Sequence, residues 1–264
     1  MNICFITAIY GNYEASCKKF TKQTVPTDFI CFTDNPGIKS NGWIVDTTPY
    51  HTLHNDLDTG EYTNSLKNNR HSFCLAKFYK QSFRKIPRLQ KYHIIVWIDG
   101  TIEIIYHKTS AYILENILST KIIGWHHEWR NGNLFAEVQA SMNEPKYISS
   151  VWTGQEQPYQ DVLTQYNEYL SDGYDPNFFK SKNRQHLGVW ITCFVAFLQH
   201  DEKVQQFLDT WYIQTLKYTT QDQISFPYIC QKMNIIPYTL PNKHITGDHP
   251  HHITLFYIKH LHGS

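Results

Sequence analysis

The sequence predicts an α/β fold with a mixed, mostly parallel central sheet flanked by helices. Short apolar runs alternate with segments of helical periodicity along most of the 264 residues, as they do in α/β domains. One run, 93–98, is almost continuously β-branched or aromatic, which is typical of a central strand buried on both faces. It leads directly into Asp99 and Gly100, residue types that favour a tight turn where a strand ends.

The first third of the chain is predicted to hold three strands, a polar loop and a helix. Turn residues close the second strand at 34–37, where Asp, Asn, Pro and Gly follow one another. The loop is polar and suited to order over a ligand, and the helix is expected to end before Pro87. The predicted strands are 3–8, 29–33 and 42–46, the loop is 47–64, and the helix is 65–85.

The rest of the chain continues the same alternation of helices and strands. Asp201 is placed to cap one of the helices, and Asp172 with Gly173 ends another. The predicted helices are 109–118, 132–143, 155–171, 201–216 and 221–233, and the predicted strands are 122–125 and 193–198. Because no repeat or low-complexity linker interrupts this pattern, we expect a single domain over 1–240. Residues 241–264 are rich in His and are expected to form a C-terminal tail.

Composition disfavours several classes of protein. The chain has 24 Lys and Arg against 23 Asp and Glu, and a net charge of +1 gives no general attraction to nucleic acid. Its six cysteines form no CxxC pair and several lie in apolar runs, so we expect reduced thiols and a cytoplasmic protein. No run approaches the roughly 18 apolar residues of a membrane span, and the first residues do not resemble a signal peptide.

Asp99 is the first candidate functional residue. Ligands of open α/β sheets bind outside the carboxyl ends of the strands, and Asp99 follows the most apolar predicted strand. We therefore expect a metal-bound phosphate or a sugar near this carboxylate. The alternative is that Asp99 only caps a turn.

Several short motifs occur in a fixed order between residue 3 and about residue 235. They are Thr7-Ala8-Ile9-Tyr10-Gly11-Asn12-Tyr13, Phe32-Thr33-Asp34, Trp97-Ile98-Asp99-Gly100, His127 with Arg130, and Trp211 followed by Asp222-Gln223-Ile224-Ser225-Phe226. In this order and spacing they resemble a glycosyltransferase-like family, formerly a domain of unknown function, that includes plant mucilage- and pectin-type proteins with bacterial and viral relatives. The resemblance implies a GT-A-like (Rossmann-like) domain that uses a nucleotide sugar.

The resemblance implies a donor site built mainly from the loop after the first strand. That loop is expected to hold the base and ribose, although a plain strand-to-helix turn would have the same sequence. Asp34 is expected to bond the base or ribose, and the alternative is that it caps a turn. Basic residues of the first helix are expected to hold the diphosphate, and the alternative is that they face solvent. The expected donor-binding residues are Thr7, Ala8, Ile9, Tyr10, Gly11, Asp34, Arg70, Lys77, Lys80 and Gly100.

The resemblance also implies a divalent cation, Mn²⁺ or Mg²⁺, because a hard cation neutralises a departing diphosphate. Asp99 stands where relatives carry two carboxylates in a DxD motif. Position 101 is Thr here, so one carboxylate is supported rather than two, and the metal requirement stays open. The expected ligands are Asp99, Thr101 and His244, where His244 would complete the metal shell. The alternative for His244 is a place in a surface tail.

The remaining expected residues line the substrate pocket or act in catalysis. Adjacent His126 and His127 lack the spacing of a zinc site, which disfavours a structural zinc. Asp222 and Gln223 begin a predicted helix and resemble a pair below the anomeric carbon in retaining transferases; one of them would stabilise an oxocarbenium-like centre. Simple helix capping is the alternative. The expected substrate-binding residues are His127, Arg130, Glu137 and Trp190, and the expected catalytic residues are Asp222 and Gln223.

The favoured function is transfer of a sugar from a nucleotide-diphosphate sugar to a hydroxyl of a glycan or other small acceptor. A UDP-hexose is the expected donor, and retention is the expected stereochemical outcome by analogy alone. Two alternatives stay open at this point. They are a metal-dependent hydrolase that uses Asp99 and histidines, and a glycan- or nucleotide-binding protein that keeps the fold without turnover. The sequence does not reveal the sugar, the acceptor or the oligomeric state.

Overall fold

The computed structural model of the protein describes residues 1–11, 13–49, 72–143, 161–184, 187–241, 244–246 and 254–258. Its strands are β1 (Ile3–Ile9), β2 (Thr27–Thr33), β3 (Ile44–Asp46), β4 (Ile94–Ile98), β5 (Ile102–Ile104), β6 (Ile122–His126), β7 (Trp190–Leu198), β8 (Tyr238–Leu240), β9 (Ile245–Thr246) and β10 (Phe256–Ile258). Its helices are α1 (Ser72–Gln81), α2 (Thr109–Thr120), α3 (Leu134–Asn143), α4 (Val162–Ser171), α5 (Phe178–Ser181), α6 (Glu202–Lys217) and α7 (Asp222–Lys232).

Seven of these strands form one sheet in the order β3-β2-β1-β4-β7-β6-β8. β7 runs antiparallel to its neighbours β4 and β6, and the other neighbouring pairs are parallel. The predicted α/β fold with a mixed, mostly parallel sheet is therefore confirmed. The carboxyl ends of β1, β2, β4 and β6 meet at one edge of the sheet, and the antiparallel β7 begins there. We call this the carboxyl edge.

The predicted elements agree with the observed ones to within a few residues where both can be compared, whereas β5, β8, β9, β10 and α5 were not predicted. α1 ends at Gln81, and two short 3₁₀ turns, one of them beginning at Pro87, lead into β4. β7 begins three residues earlier than predicted, at Trp190. The predicted loop 47–64 lies outside the described residues from position 50 onward, as does the first part of the predicted helix 65–85.

Alternate residues of the central strands enter two apolar layers, one on each face of the sheet. Cys4 and Ile6 of β1 belong to a layer that includes buried residues of α1, α6 and α7. Ile3 and Phe5 of the same strand belong to a layer that includes residues of α2 and of β5 and β10. The sheet is thus buried on both faces, which explains why its central strands are continuously apolar.

Part of the segment 241–264 packs against the domain. β9, β10 and β5 form a second sheet of three strands, in which β10 pairs antiparallel with β5 and parallel with β9. Leu255 and Phe256 are buried in the apolar layer on the α2 side. These described residues therefore do not form a surface tail, while the boundary near residue 240 stays a prediction.

The described cysteines, Cys4, Cys17, Cys31, Cys193 and Cys230, carry free thiols. Burial raises the pKa of the Cys230 thiol well above its usual value, which leaves this group unreactive. Among the described helices, none has both the length and the apolar character needed to cross a bilayer.

Candidate active site

Four elements bring charged and polar side chains together at the carboxyl edge. β4 is followed by Asp99, β7 carries Thr192 near its beginning, and α1 carries Lys77 and Lys80. α7 begins at Asp222. Because parallel strands present their carboxyl ends at the same edge, residues far apart in sequence meet here. The structure thus brings together three charged residues that the sequence predicted for the donor site and for catalysis.

Asp222 lies at the centre of this group and is 3% exposed. Its Oδ2 accepts from Lys80 Nζ at 2.7 Å, Lys77 Nζ at 3.0 Å and Gln81 Nε2 at 3.3 Å. Its Oδ1 accepts from the Thr192 hydroxyl at 2.8 Å. The carboxylate is therefore held from two sides, by α1 and by β7. We call Lys77, Lys80, Gln81, Thr192 and Asp222 the Asp222 cluster.

Electrostatics keep Asp222 charged although it is buried. Burial alone would raise its pKa, but Lys77 and Lys80 outweigh burial and hold the pKa of this carboxyl below its usual value. Burial lowers the pKa of Lys80, and the attraction of Asp222 opposes this effect. The Lys80 ammonium also lies 5.7 Å from the ring centre of Trp97 and 5.5 Å from that of Trp211, at cation–π distance.

A buried ion pair is an inefficient way to stabilise a fold, because the desolvation of two charges offsets most of their attraction. A cluster of buried charges at the edge of the sheet where ligands bind is therefore a candidate for function rather than for stability. Lys77 differs from Lys80 in one respect that matters for binding. Its side chain is 18% exposed, whereas that of Lys80 is 1% exposed. Lys77 is the lysine that a bound anion can reach.

Asp99 lies at the end of β4, and its carboxylate accepts from the indole N–H of Trp97 at 2.7 Å. Its backbone N–H bonds to the carbonyl of Cys193 at 2.8 Å, which fixes it against β7. The pKa of nearby Tyr13 is raised to about 12 by burial and by the charges of Asp99 and Glu14. The carbonyl of Asp99 also accepts from the backbone N–H of Ile102 at 3.0 Å, so Asp99 begins a turn, and its expected role as a metal ligand stays a prediction.

Gly100 packs closely against β1. A Cβ at this position would lie 3.2 Å from Ile9 Cγ1, so the missing side chain lets the turn pack on the end of β1. Its expected place in the donor site stays a prediction. Ile9 is itself 4% exposed and lies in the core.

A second cluster surrounds the buried carboxylate of Glu137 on α3. Glu137 Oε2 accepts from Arg130 Nε at 2.6 Å and lies 3.3 Å from His127 Nε2, while Oε1 accepts from the Gln223 amide. Burial would raise the pKa of Glu137, but hydrogen bonds from His127 and Arg130 hold it below its usual value. We call His127, Arg130, Glu137 and Gln223 the Glu137 cluster. Since Gln223 follows Asp222 in sequence, the two clusters are adjacent.

His127 is oriented by this cluster. Its Nε2 lies 3.3 Å from Glu137 Oε2, so this nitrogen donates to the carboxylate. Nδ1 is buried and has no hydrogen-bond partner in the part of the chain that the structure describes. His127 and Arg130, expected in the substrate pocket, are thus brought beside Gln223, expected in catalysis.

The loop after β1 is the expected site of the nucleotide, and its described contacts are internal. Gly11 has φ of 65°, and its N–H bonds to both oxygens of Asp34 at 3.3 and 3.2 Å. Asp34 therefore ties the β1 loop to the end of β2. Tyr10 is 6% exposed and donates its hydroxyl to Tyr79 at 2.8 Å, which places its ring in the core.

The neighbouring Thr7 and Ala8 lie within β1. Thr7 is 2% exposed, and its hydroxyl is buried without a hydrogen-bond partner among the described residues. Ala8 packs at the edge of the apolar layer on the α1 side. Their expected contact with a nucleotide stays a prediction.

Other expected residues are not brought to the two clusters. Trp190 is fully buried, and its indole N–H donates to the Thr239 hydroxyl at 3.0 Å, so the described ring offers no surface to a substrate. His244 is also buried, with its ring 5.0 Å from that of Tyr112. Arg70 lies outside the described residues.

The residues expected to hold a metal do not form a complete set of ligands. Among the described residues, no three side chains of His, Cys, Asp or Glu are grouped so that they could hold a metal ion. Asp99 supplies one carboxylate, and the half-buried Thr101 supplies a hydroxyl. This set does not fit a resident metal centre, and the metal requirement stays a prediction.

Two contributors to the Asp222 cluster, Gln81 and Thr192, were missed from the sequence. Gln81 could have been found, since positions 77, 80 and 81 share one face of a helix. Thr192 gave no such signal, because it lies in a strand whose predicted start was one residue later.

Comparison with known proteins leaves the family undecided. No protein-family model matches the sequence, and no curated protein matches it. Among solved structures, mouse xyloside xylosyltransferase 1 in its apo form has 9% identity and a TM-score of 0.48, over 93% of this chain and 87% of that chain. Core-mannan synthase A from Aspergillus fumigatus, in a Mn/GDP form, has 11% identity and a TM-score of 0.36, over 86% and 69%. Both identities are below 25% and both TM-scores are below 0.5, so neither likeness decides the function.

Proposed function

We propose that this protein is a glycosyltransferase that moves a sugar from a nucleotide-diphosphate sugar to a hydroxyl of an acceptor. The observation that carries the proposal is the Asp222 cluster, in which a buried carboxylate pairs with Lys77 and Lys80 beside Asp99. Such a cluster supplies both charges that sugar transfer requires. Positive charge stabilises a departing diphosphate, and negative charge stabilises a sugar that becomes cationic at its anomeric carbon.

The two lysines have separate roles in this proposal. Lys80 is enclosed between Trp97 and Trp211 and keeps Asp222 ionised. Lys77, whose side chain is partly exposed, exchanges its contact with Asp222 for a phosphate oxygen of the donor. A charge-assisted hydrogen bond of this kind is worth about 1.5–3 kcal/mol. Once Lys77 has turned to the diphosphate, Asp222 keeps Lys80, Gln81 and Thr192 as partners.

Gln223 is the second residue that we assign to the reacting centre. It belongs to the Glu137 cluster and directly follows Asp222 in sequence, and its side chain is half-buried. Its amide holds the transferred sugar below the anomeric carbon, while the acceptor approaches past His127 and Arg130. A UDP-hexose is the proposed donor, from the resemblance of the ordered motifs, and retention is the proposed outcome, from the resemblance of the Asp222-Gln223 pair. The need for a divalent cation beside Asp99 is a separate question. If a cation arrives there with the donor, added Mn²⁺ strengthens donor binding.

Donor binding and donor hydrolysis test the proposal. The purified protein is screened by thermal unfolding with UDP and GDP, each with and without Mn²⁺, because a ligand of the native state raises its apparent stability. UDP-glucose, UDP-galactose, UDP-xylose and GDP-mannose are then followed for slow hydrolysis to the free nucleotide. We expect one nucleotide to stabilise the protein and its sugar to be released.

Lys77→Ala provides the specific test, with Lys217→Ala as its matched control. Lys217 is also paired with a carboxylate, Glu168, but the two side chains are 46% and 49% exposed. We expect Lys77→Ala to weaken nucleotide binding about tenfold or more and Lys217→Ala to leave it unchanged. Absence of both binding and hydrolysis for every nucleotide sugar would contradict the proposal. Turnover of p-nitrophenyl phosphate would favour a hydrolase, and binding without turnover would favour a non-catalytic protein.

A further inference from the structure

Trp129 is the most exposed large apolar side chain among the described residues. It is 86% exposed, although a tryptophan gains more from burial than almost any other residue. It lies in a 3₁₀ turn, Glu128–Arg130, directly after β6 at the carboxyl edge. Its ring centre is 6.3 Å from that of His127. The exposed ring therefore lies at the rim of the Glu137 cluster.

The turn that carries Trp129 is held in place on both sides. His127 and Arg130, which flank the turn's exposed residues, both contact the buried carboxylate of Glu137. The backbone N–H of Arg130 donates to the carbonyl of His127 at 3.1 Å, and that of Asn131 donates to Glu128 at 3.1 Å. The exposure of Trp129 is therefore not a consequence of a loose loop. An anchored turn presents the ring to solvent.

We propose that Trp129 is the stacking platform of a carbohydrate-binding subsite that holds one sugar ring of the acceptor. This inference rests on the proposed function and deepens it by naming the acceptor as a glycan. A pyranose has an apolar face of C–H groups, which matches the flat face of an indole. Its rim carries hydroxyls, which need donors and acceptors beside the ring.

The polar neighbours of Trp129 supply those donors and acceptors. Arg130 uses its Nε–H on Glu137, and a guanidinium has four further N–H groups. Glu128 is exposed and offers a carboxylate. A docking surface for another protein is usually a contiguous apolar area of hundreds of Å² with its charges at the rim. A single indole flanked in sequence by a carboxylate and a guanidinium matches one sugar ring in size and in its pattern of apolar and polar groups.

The first test observes the ring directly. The indole N–H signal of Trp129 is identified in an NMR spectrum of ¹⁵N-labelled protein by its absence from Trp129→Phe. Methyl glycosides of glucose, galactose, mannose and xylose are then added one at a time, with sorbitol as an acyclic polyol. We expect the signal to shift with at least one pyranoside and not with sorbitol. A signal that no pyranoside moves would overturn the subsite.

The second test uses transfer to the pyranoside that binds. We expect Trp129→Ala to raise the KM for this acceptor about tenfold, with a smaller change in kcat. Trp129→Phe keeps part of the stacking face and should raise the KM less. Leu118→Ala is the control, since Leu118 is also exposed, at 47%, but lies on α2. An unchanged acceptor KM in Trp129→Ala would overturn the inference.

Two further outcomes separate this inference from its alternatives. If wild-type protein binds a pyranoside through Trp129 but hydrolyses no nucleotide sugar, the proposed transferase fails and the sugar subsite survives. If sedimentation shows a wild-type dimer that Trp129→Ala converts to a monomer, the ring belongs to an interface between two copies. That result would overturn the subsite.

Discussion

Replacing Asp222 by Asn should destabilise the protein strongly at neutral pH. Lys80, 1% exposed, then keeps a buried ammonium without its main partner, while the neutral amide preserves the shape of the side chain. At 2.7 Å and an effective dielectric constant of about 20, two unit charges attract by about 6 kcal/mol. This attraction is lost, whereas the desolvation of Lys80 remains.

The loss has an upper limit because Lys80 can release its proton. Deprotonating a lysine at pH 7, about 3.4 pH units below its ordinary pKa, costs about 4.6 kcal/mol of free energy. We therefore expect Asp222→Asn to lower the free energy of unfolding by about 3–5 kcal/mol. In the variant, the pKa of Lys80 is lower in the folded than in the unfolded state. The unfolded state then binds more protons, so the stability of the variant rises with pH relative to wild type up to about pH 10.

Urea unfolding between pH 6 and pH 10 measures both effects. Glu168→Gln is the matched control, because it removes a carboxylate from an exposed lysine and should cost less than about 1 kcal/mol. If Asp222→Asn stays within about 1 kcal/mol of wild type at pH 7, the buried pair does not exist as described and the reasoning fails. A difference that does not shrink toward pH 10 would show that Lys80 keeps its proton, and would refute the proposed limit.

Two further predictions concern the neighbouring parts of the site. Glu137→Gln should lower transfer activity and should lower the free energy of unfolding, measured in urea, by about 1–3 kcal/mol. Because the pKa of Glu137 is lowered in the folded state, the contribution of its charge to stability is present above about pH 4.5 and is lost at lower pH. The stability of the variant should therefore be less sensitive to acid than that of wild type. Gly124→Ala should lower the free energy of unfolding by about 1–3 kcal/mol, since the new Cβ would lie 2.7 Å from Trp190 Cδ1. Gly37→Ala, whose Cβ would approach only the Asn35 side chain, is its control, and equal losses in the two alanine variants would contradict this account.

The fold could be predicted from the sequence where local patterns decide it. Continuous apolar runs gave β1, β4 and β7, because strands buried on both faces need apolar residues at every position. The pairing of β10 with β5 could not be predicted in this way. It joins Phe256 to Ile104 across about 150 residues, and no local signal specifies such a partner. The His-rich residues around that strand also favoured a tail.

The candidate site was predictable in its residue types but not in its contacts. Lys77, Lys80 and Asp222 were all expected at the site, and they do meet there. Which lysine is enclosed depends on the rings of Trp97 and Trp211, which come from distant elements. Such packing cannot be derived from helical spacing, because positions 77 and 80 share a face equally well.

The peptide link between Asp222 and Gln223 gives the two clusters a common anchor. Asp222 binds the lysines of α1, and the next side chain, Gln223, binds Glu137, which in turn holds Arg130. The first turn of α7 thus contacts the proposed donor side through Asp222 and, through Gln223 and Glu137, the turn that presents Trp129. A shift of α7 on donor binding would therefore move the proposed acceptor platform as well. If the two are coupled in this way, UDP should change the NMR shift of the Trp129 indole in wild type but not in Gln223→Ala, which removes the contact with Glu137.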